Sequence, residues 1–164
     1  MRHVTREDIY KDFQNWLSES RSYGLVPDFS WIDLNGEDLS ETNLHGIIMN
    51  DAMLYKVNLT KANLIDSSLH RADLSQAILR FARLERANLR QAKLYQADLY
   101  RAHLRDAILE NADLREANLR RADLRYANLK NAKLENANLD YANLAGADLT
   151  GAYITSEQRK LIKL

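Results

Sequence analysis

The side chains that could catalyse a reaction or hold a metal ion are few in this chain of 164 residues. No cysteine is present, so disulfide bonds, thiol nucleophiles and thiolate metal ligands are excluded. The serines show no arrangement with histidine and aspartate that would indicate a catalytic triad, and there is no glycine-rich phosphate-binding loop. The four histidines are His3, His45, His70 and His103. This inventory predicts a protein without catalytic activity, metal ion or cofactor.

Charge is unevenly distributed along the chain, although 23 basic residues balance 23 acidic ones overall. Residues 31–70 contain two basic and six acidic residues, whereas residues 71–130 contain 13 basic and eight acidic residues. Domains that bind nucleic acid usually have a pI above about 9, and the sequence pI here is 6.9. The low pI therefore favours a protein as the partner of the basic middle, with direct nucleic-acid binding as an alternative.

A repeat of five residues extends over most of the chain and determines where the charged and polar side chains lie. From Leu34 to Ile154 an aliphatic residue or methionine recurs at 25 successive positions, and alanine fills 19 of the positions two residues earlier. Successive leucines would lie about 140° apart around an α-helix and on alternate faces of a flat strand. Neither element buries this pattern. A short extended segment that points alanine and leucine inward, followed by a turn of two residues, does bury it.

Single units of the repeat match a known motif. Residues 87–91 (ANLRQ), 112–116 (ADLRE) and 122–126 (ADLRY) follow the pattern A(D/N)LXX. Over residues 32–156 the chain therefore resembles the pentapeptide-repeat proteins, many of which come from cyanobacteria. The resemblance implies an all-β solenoid, namely a right-handed quadrilateral β-helix with four repeat units per coil and about six coils. Asparagine or aspartate at the middle position is expected to bond to the backbone of the turn.

Both ends of the repeat are predicted to be covered by helices, which solenoids need at their open ends. Residues 5–22 form a predicted amphipathic helix that starts after Thr5. Its apolar stripe consists of Ile9, Phe13, Trp16 and Leu17. The predicted organisation is a single domain with an N-terminal helical cap (1–30), a repeat β-helix (31–156) and a short C-terminal cap helix (157–164). Relatives often dimerise through the C-terminal end, which implies a homodimer as one arrangement.

The first coil departs from the repeat, because its alanine positions hold larger side chains such as Ile32 and Ile47. This departure indicates either an end coil that is covered by the cap or an exposed apolar edge that binds a partner.

Positions one coil apart share a face, so arginine and aromatic residues of the basic middle come together. We call the set the arginine–aromatic patch; it comprises Arg80, Phe81, Tyr100, Arg101, Arg120, Arg121 and Tyr141. Arginine and aromatic residues are enriched in interface hot spots, because guanidinium groups stack on rings and bind carboxylates. The alternative is that these side chains only stack on one another and shield the backbone. On the adjacent face the stacking predicts the ion pairs Glu85 with Arg105 and Arg86 with Asp106.

The predicted coil also separates the histidines. His45 and His103 lie on one side about three coils apart, roughly 14 Å, and His70 lies on another side. Histidine binds metal ions at about 2 Å, so these three cannot share one. A regular core of alanine and leucine leaves no cavity for a substrate.

The sequence thus predicts a rigid, non-catalytic scaffold that binds an unidentified protein. The resemblance offers a second function, because some pentapeptide-repeat proteins mimic DNA and bind gyrase, a type II topoisomerase. Mimicry of DNA requires a strongly acidic rod, and the neutral charge and basic middle of this chain disfavour it. The sequence contains no signal peptide and no apolar run of about 18 residues, so a cytoplasmic location without membrane attachment is expected.

Overall fold

The computed structural model describes residues 11–16 and 28–161 of the chain. Residues 11–16 are helical (α1), and a second helix, α2, spans Ser156–Leu161. The predicted N-terminal helix over residues 5–22 is thus described only in its middle. The residues singled out above that lie outside the described residues are His3, Thr5, Ile9 and Leu17.

Between the two helices the backbone pairs with itself at one fixed separation along the chain. Parallel bridges follow one another without a gap, from Asp28 with Ile48 to Lys133 with Tyr153. One residue in every five is bridged, at the middle position of each unit, so the bridges form four sets. Each residue therefore lies beside the one four repeat units later, and we call such residues one layer apart.

The pairing consists of isolated bridges, and no continuous strand occurs within residues 11–16 and 28–161. This differs from the strands that an all-β solenoid suggests. The reason is the period of the repeat, because two turn residues in every five leave only three residues of extended backbone.

A tight turn ends each unit. In the unit of Leu99, the N–H of Ala102 donates a hydrogen bond to the Leu99 carbonyl (2.9 Å), and Arg101 has a φ of 55°. A positive φ at the third residue and a bond between the first and fourth residues are features of a type II turn. The carboxylate of Asp98 accepts a hydrogen bond from the Tyr100 N–H (3.1 Å). This bond confirms the role predicted for the middle position.

Leucine and alanine side chains fill the interior, as the repeat predicts. Leu94 and Ala97, in the middle of the repeat, have no exposed surface. Ser67 takes an alanine position and is also buried, and its hydroxyl has no hydrogen-bond partner. In the first layer Ile32 and Ile47 are buried in alanine positions, which favours the covered end coil over the exposed apolar edge.

The described parts of the two helices contact the ends of the repeat. The fully buried ring of Phe13 lies 5.1 Å, centroid to centroid, from that of Phe29 and 6.1 Å from that of Trp16. At the other end, the side-chain amide of Gln158 donates hydrogen bonds to the carbonyls of Leu134 (2.7 Å) and Ala137 (2.9 Å).

Thr155 and Gln158 bond to each other at the start of α2. The Gln158 N–H donates to the Thr155 hydroxyl (3.2 Å), and the Thr155 N–H donates to Oε1 of Gln158 (2.7 Å). This reciprocal pair is a capping box. It fixes the Gln158 side chain at the end of the repeat.

Candidate functional site

The arginine–aromatic patch lies on turn residues of successive layers. The backbone N–H of Phe81 donates to the carbonyl of Tyr100 (3.1 Å), and that of Arg101 donates to the carbonyl of Arg120 (3.1 Å). The N–H of Arg121 continues the series by donating to the carbonyl of Asp140 (2.9 Å). These bonds hold the patch in register, so its side chains start from fixed positions.

Four members of the patch form one cluster of rings and guanidinium groups. The rings of Phe81 and Tyr100 meet edge to face, with centroids 5.7 Å apart and planes at 87°. The guanidinium carbons of Arg80 and Arg101 lie 5.4 Å and 5.5 Å from the Tyr100 centroid. Arg101 also lies 5.9 Å from the Phe81 centroid.

The other three members are less closely joined. Arg121 lies 5.8 Å from the ring centroid of Tyr141, which is 78% exposed. The side chain of the exposed Arg120 makes no ring contact or ion pair with the described residues, and only its backbone is bonded: the N–H donates to Oδ1 of Asn118 (3.2 Å) and the carbonyl accepts from Arg101. The stacking that the structural alternative requires is therefore present in most of the patch.

Ion pairing divides the arginines into two classes that sequence reasoning did not distinguish. Within the part of the chain that the structure describes, Arg101, Arg120 and Arg121 have no carboxylate within ion-pair distance, and all three belong to the patch. The other arginines of residues 28–158 each have such a carboxylate; they are Arg71, Arg80, Arg83, Arg86, Arg90, Arg105, Arg115 and Arg125.

A shallow groove of about 330 Å³ lies beside the patch. Its lining residues are Phe81, Arg101, Ala102, His103, Arg121 and Asp123. Sequence reasoning missed His103 and Asp123 as part of this site, although each closely follows a patch arginine and the two lie one layer apart. The side chain of Arg125 donates hydrogen bonds to both Asp123 oxygens (2.8 and 2.7 Å). These bonds lower the pKa of Asp123 below its ordinary value.

On the adjacent face the predicted ion pairs are wrong. Arg86 donates two hydrogen bonds to Asp66 (2.7 and 2.6 Å) rather than to Asp106. Arg105 has its nitrogen 3.3 Å from Asp106, and Glu85 has its oxygen 3.7 Å from Arg83. A long arginine side chain reaches a carboxylate of its own layer or of the layer before it as readily as one of the layer after it, so stacking order alone does not select the partner.

Neither a metal site nor a membrane-spanning helix is found in the described residues. Across residues 11–16 and 28–161, no three histidine, cysteine, aspartate or glutamate residues are grouped so that they could hold a metal ion. His45 faces a carboxylate, that of Asp66, at 4.0 Å. Over the same two ranges, no helix has the length and apolar character that crossing a membrane requires.

The family of pentapeptide repeats matches most of the chain. Its model matches in eight copies over residues 28–65, 67–106, 82–121, 97–136 and 117–155. No curated protein matches the chain.

Solved structures of similar proteins include QnrB1, HetL and Rfr23. A trypsin-treated form of QnrB1, a plasmid-mediated fluoroquinolone resistance protein, is 25% identical with a TM-score of 0.60, over 74% of this chain and 60% of that chain. HetL is a pentapeptide repeat protein involved in heterocyst differentiation regulation, from the cyanobacterium Nostoc sp. strain PCC 7120. Its sequence is 25% identical to this one over 92% of this chain and 95% of that chain, with a TM-score of 0.38. Rfr23, a pentapeptide repeat protein from the cyanobacterium Cyanothece 51142, is 28% identical over 89% and 99% of the two chains (TM-score 0.40). This chain thus spans 60% of the length of the QnrB1 structure.

Proposed function

This chain belongs to the pentapeptide-repeat family, and on that basis we propose that it is a non-catalytic scaffold that binds another protein through the arginine–aromatic patch. The observation that carries the proposal is the cluster of Arg80, Phe81, Tyr100 and Arg101, because its rings and guanidinium groups hold one another on a hydrogen-bonded backbone. A surface that is ordered before binding loses little conformational entropy when a partner docks.

The proposal includes the architecture that presents the patch. The layers are the coils of a right-handed quadrilateral β-helix that begins at Asp28 rather than at the predicted residue 31. An N-terminal cap precedes it, and its C-terminal cap starts with α2 at Ser156 rather than at the predicted residue 157. Burial of Phe13 supports the first cap, and the hydrogen bonds of Gln158 support the second. Leu149 and Ile154 in the last layer are only partly buried, which supports a homodimer through this end.

The electrostatics of the groove do not suit Asp123 to general-acid catalysis. A general acid at neutral pH needs a carboxyl group whose pKa is raised. Asp123 is the carboxyl group of the groove, and the hydrogen bonds from Arg125 lower its pKa instead.

The test is crosslinked capture of partners from a lysate of the source cell. Wild-type protein is compared with the double variant Arg101→Glu, Arg121→Glu and with a control, Lys56→Glu with Lys133→Glu. The two control lysines are exposed and have no ion pair among the described residues, and their repeat units belong to another bridge set, that of Met53 and Lys133. We expect one protein to be captured by the wild type and the control and lost with the patch variant, while circular dichroism shows all three folded. Capture by all three would show that the patch is the wrong surface.

The alternative functions are a DNA mimic that binds gyrase and a binder of nucleic acid through the basic middle. The balanced charge of the chain opposes mimicry, since a groove built for phosphates requires an acidic ligand. A gyrase supercoiling assay tests the first alternative, and a gel shift at several salt concentrations tests the second.

A further inference from the structure

The unpaired arginines of the patch distinguish it from the rest of the surface. Every other arginine of residues 28–158 has a carboxylate of this chain within ion-pair distance, whereas Arg101, Arg120 and Arg121 have none among the described residues. The three are neighbours, because the backbone N–H of Arg101 bonds to the carbonyl of Arg120 (3.1 Å). The arginines that have no ion pair among the described residues are thus concentrated in one place.

Two of these arginines line the same groove from successive layers. Arg101 and Arg121 both lie against it, together with Phe81. Arg101 is held beside two rings and Arg121 beside the Tyr141 ring. Ring contacts restrict the guanidinium groups, so less side-chain entropy is lost when they bind a ligand.

The carboxylates near the groove are already occupied. Arg125 holds Asp123 with two hydrogen bonds (2.8 and 2.7 Å), and Nε of Arg80 lies 2.9 Å from Asp98. The groove therefore presents two guanidinium groups that have no ion-pair partner among the described residues.

We propose that the groove binds an acidic helix of the partner protein, whose carboxylates accept hydrogen bonds from Arg101, Arg121 and the adjacent Arg120. This inference rests on the proposed scaffold function and names the chemistry of the partner. Successive layers stack about 4.8 Å apart, and side chains three or four residues apart on a helix are about 5–6 Å apart. Two glutamates on one helix face thus match the two arginines, since guanidinium groups bind carboxylates with two parallel hydrogen bonds.

A protein partner fits the patch better than a nucleic acid does. The unpaired cations extend over only two layers. In the layer before them Arg80 is paired with Asp98 (2.9 Å), and the layer after them carries Asp140. Binding to a nucleic acid depends on neutralising many successive phosphates, and this short cationic stretch offers few contacts.

The test measures fluorescence anisotropy with a defined probe, at 50 mM salt and up to 1 mM protein. The probe is a fluorescein-labelled, alanine-based helical peptide with glutamate at every fourth position, and a second peptide has glutamine at those positions. The protein is the full chain as wild type, as Arg101→Gln with Arg121→Gln, and as a control with the same loss of charge, Lys56→Gln with Lys133→Gln. We expect the patch variant to bind the glutamate peptide at least 10-fold more weakly than the wild type, the control to stay within 2-fold, and the glutamine peptide to bind at least 10-fold more weakly.

Three results would overturn the inference. An equal loss in the patch variant and the control would mean that only net charge attracts the peptide. Tighter binding of a 15-base-pair DNA duplex than of the glutamate peptide would assign the patch to nucleic acid. No binding of the glutamate peptide by the wild type would also contradict the inference. If the lysate experiment still finds a protein that is lost with the Arg101→Glu, Arg121→Glu variant, the scaffold function stands and only the acidic chemistry of the partner is wrong.

Discussion

The ring of Tyr126 fills the space that a side chain on Gly146 would need. A Cβ atom on residue 146 would lie 2.6 Å from both Cδ1 and Cε1 of the ring. The two residues are one layer apart, and Gly146 also has a φ of 72°, in the left-handed region. The glycine therefore serves two purposes, because it adopts the turn conformation without strain and gives the aromatic ring room.

The first prediction couples these two residues. Gly146→Ala should destabilise the protein by about 1–3 kcal/mol, because it adds backbone strain and displaces the ring. In a Tyr126→Ala background the same change should cost less, since only the strain remains. Urea denaturation of the four proteins of this double-mutant cycle measures the difference. Equal costs in both backgrounds would mean that the ring moves aside freely.

The second prediction concerns the buried hydroxyl of Ser67. Ser67→Ala should stabilise the protein by about 1 kcal/mol, because it removes a buried polar group that has no hydrogen-bond partner. The adjacent Ser68 is the control, since its hydroxyl donates to Asn50 (2.7 Å) and Ser68→Ala should destabilise. Thermal melting separates the two cases; a loss of stability in Ser67→Ala would show that its hydroxyl is bonded after all.

The third prediction tests how tightly the alanine positions are packed. Ala97→Leu should destabilise the protein by about 1–3 kcal/mol, because the fully buried position has no room for a larger side chain. Ala145 is exposed on a turn, so Ala145→Leu is a matched control that should leave the urea midpoint nearly unchanged. Similar midpoints for both variants would contradict close packing in the interior.

The fourth prediction uses Gln158 at the end of the repeat. In Gln158→Glu a buried carboxylate would replace the amide that donates to the carbonyls of Leu134 and Ala137. The change should cost about 1–3 kcal/mol at pH 7, and part of this cost should be recovered at pH 5, where a protonated carboxyl group can donate again. The difference in melting temperature between variant and wild type, at each pH, is the readout. A pH-independent difference would rule out the proposed contact.

The fifth prediction is a loss of stability in acid. Hydrogen bonds from the side chains of Arg86, Arg115 and Arg125 lower the pKa values of Asp66, Asp113 and Asp123, respectively. The folded protein therefore holds these protons less tightly than the unfolded chain does, where the pKa is about 3.9. The resulting stabilisation is present above that pH and is lost as the pH falls through the lower folded values.

Melting temperatures between pH 6 and pH 2 test the acid effect. The triple variant with asparagine at positions 66, 113 and 123 should lose less of its melting temperature over this range than the wild type. Parallel curves of melting temperature against pH would mean that these ion pairs do not contribute to the loss of stability in acid.

Much of the fold is predictable from the sequence because one physical requirement is repeated in every unit. The inward positions of Leu94 and Ala97 follow from the period of five, and the resemblance supplied the separation between paired residues that the bridges confirm. The turn conformation is harder to predict from the sequence. Arg101 and Phe81 have positive φ values (55° and 58°), whereas a positive φ is usually indicated by glycine or asparagine.

The site was only partly predictable for a different reason. Position in the layer placed Phe81, Tyr100 and Arg101 together. The position in the layer did not show that, among the described residues, Arg80 forms an ion pair and Arg121 does not, because ion pairing depends on side-chain conformation. The same freedom explains why Arg86 contacts Asp66 rather than Asp106.

The fixed separation between paired residues also determines how the protein tolerates insertions and deletions. Because every unit buries the same pair of positions, removal of one unit leaves a continuous core. It nevertheless pairs every downstream residue with an upstream residue of a different bridge set. Deletion of residues 91–95 would place Phe81 beside Asp106 instead of Arg101. Loss or gain of a whole layer changes only the number of layers. Loss or gain of a single unit changes which surface residues lie beside one another at the site of the change, while the interior stays filled.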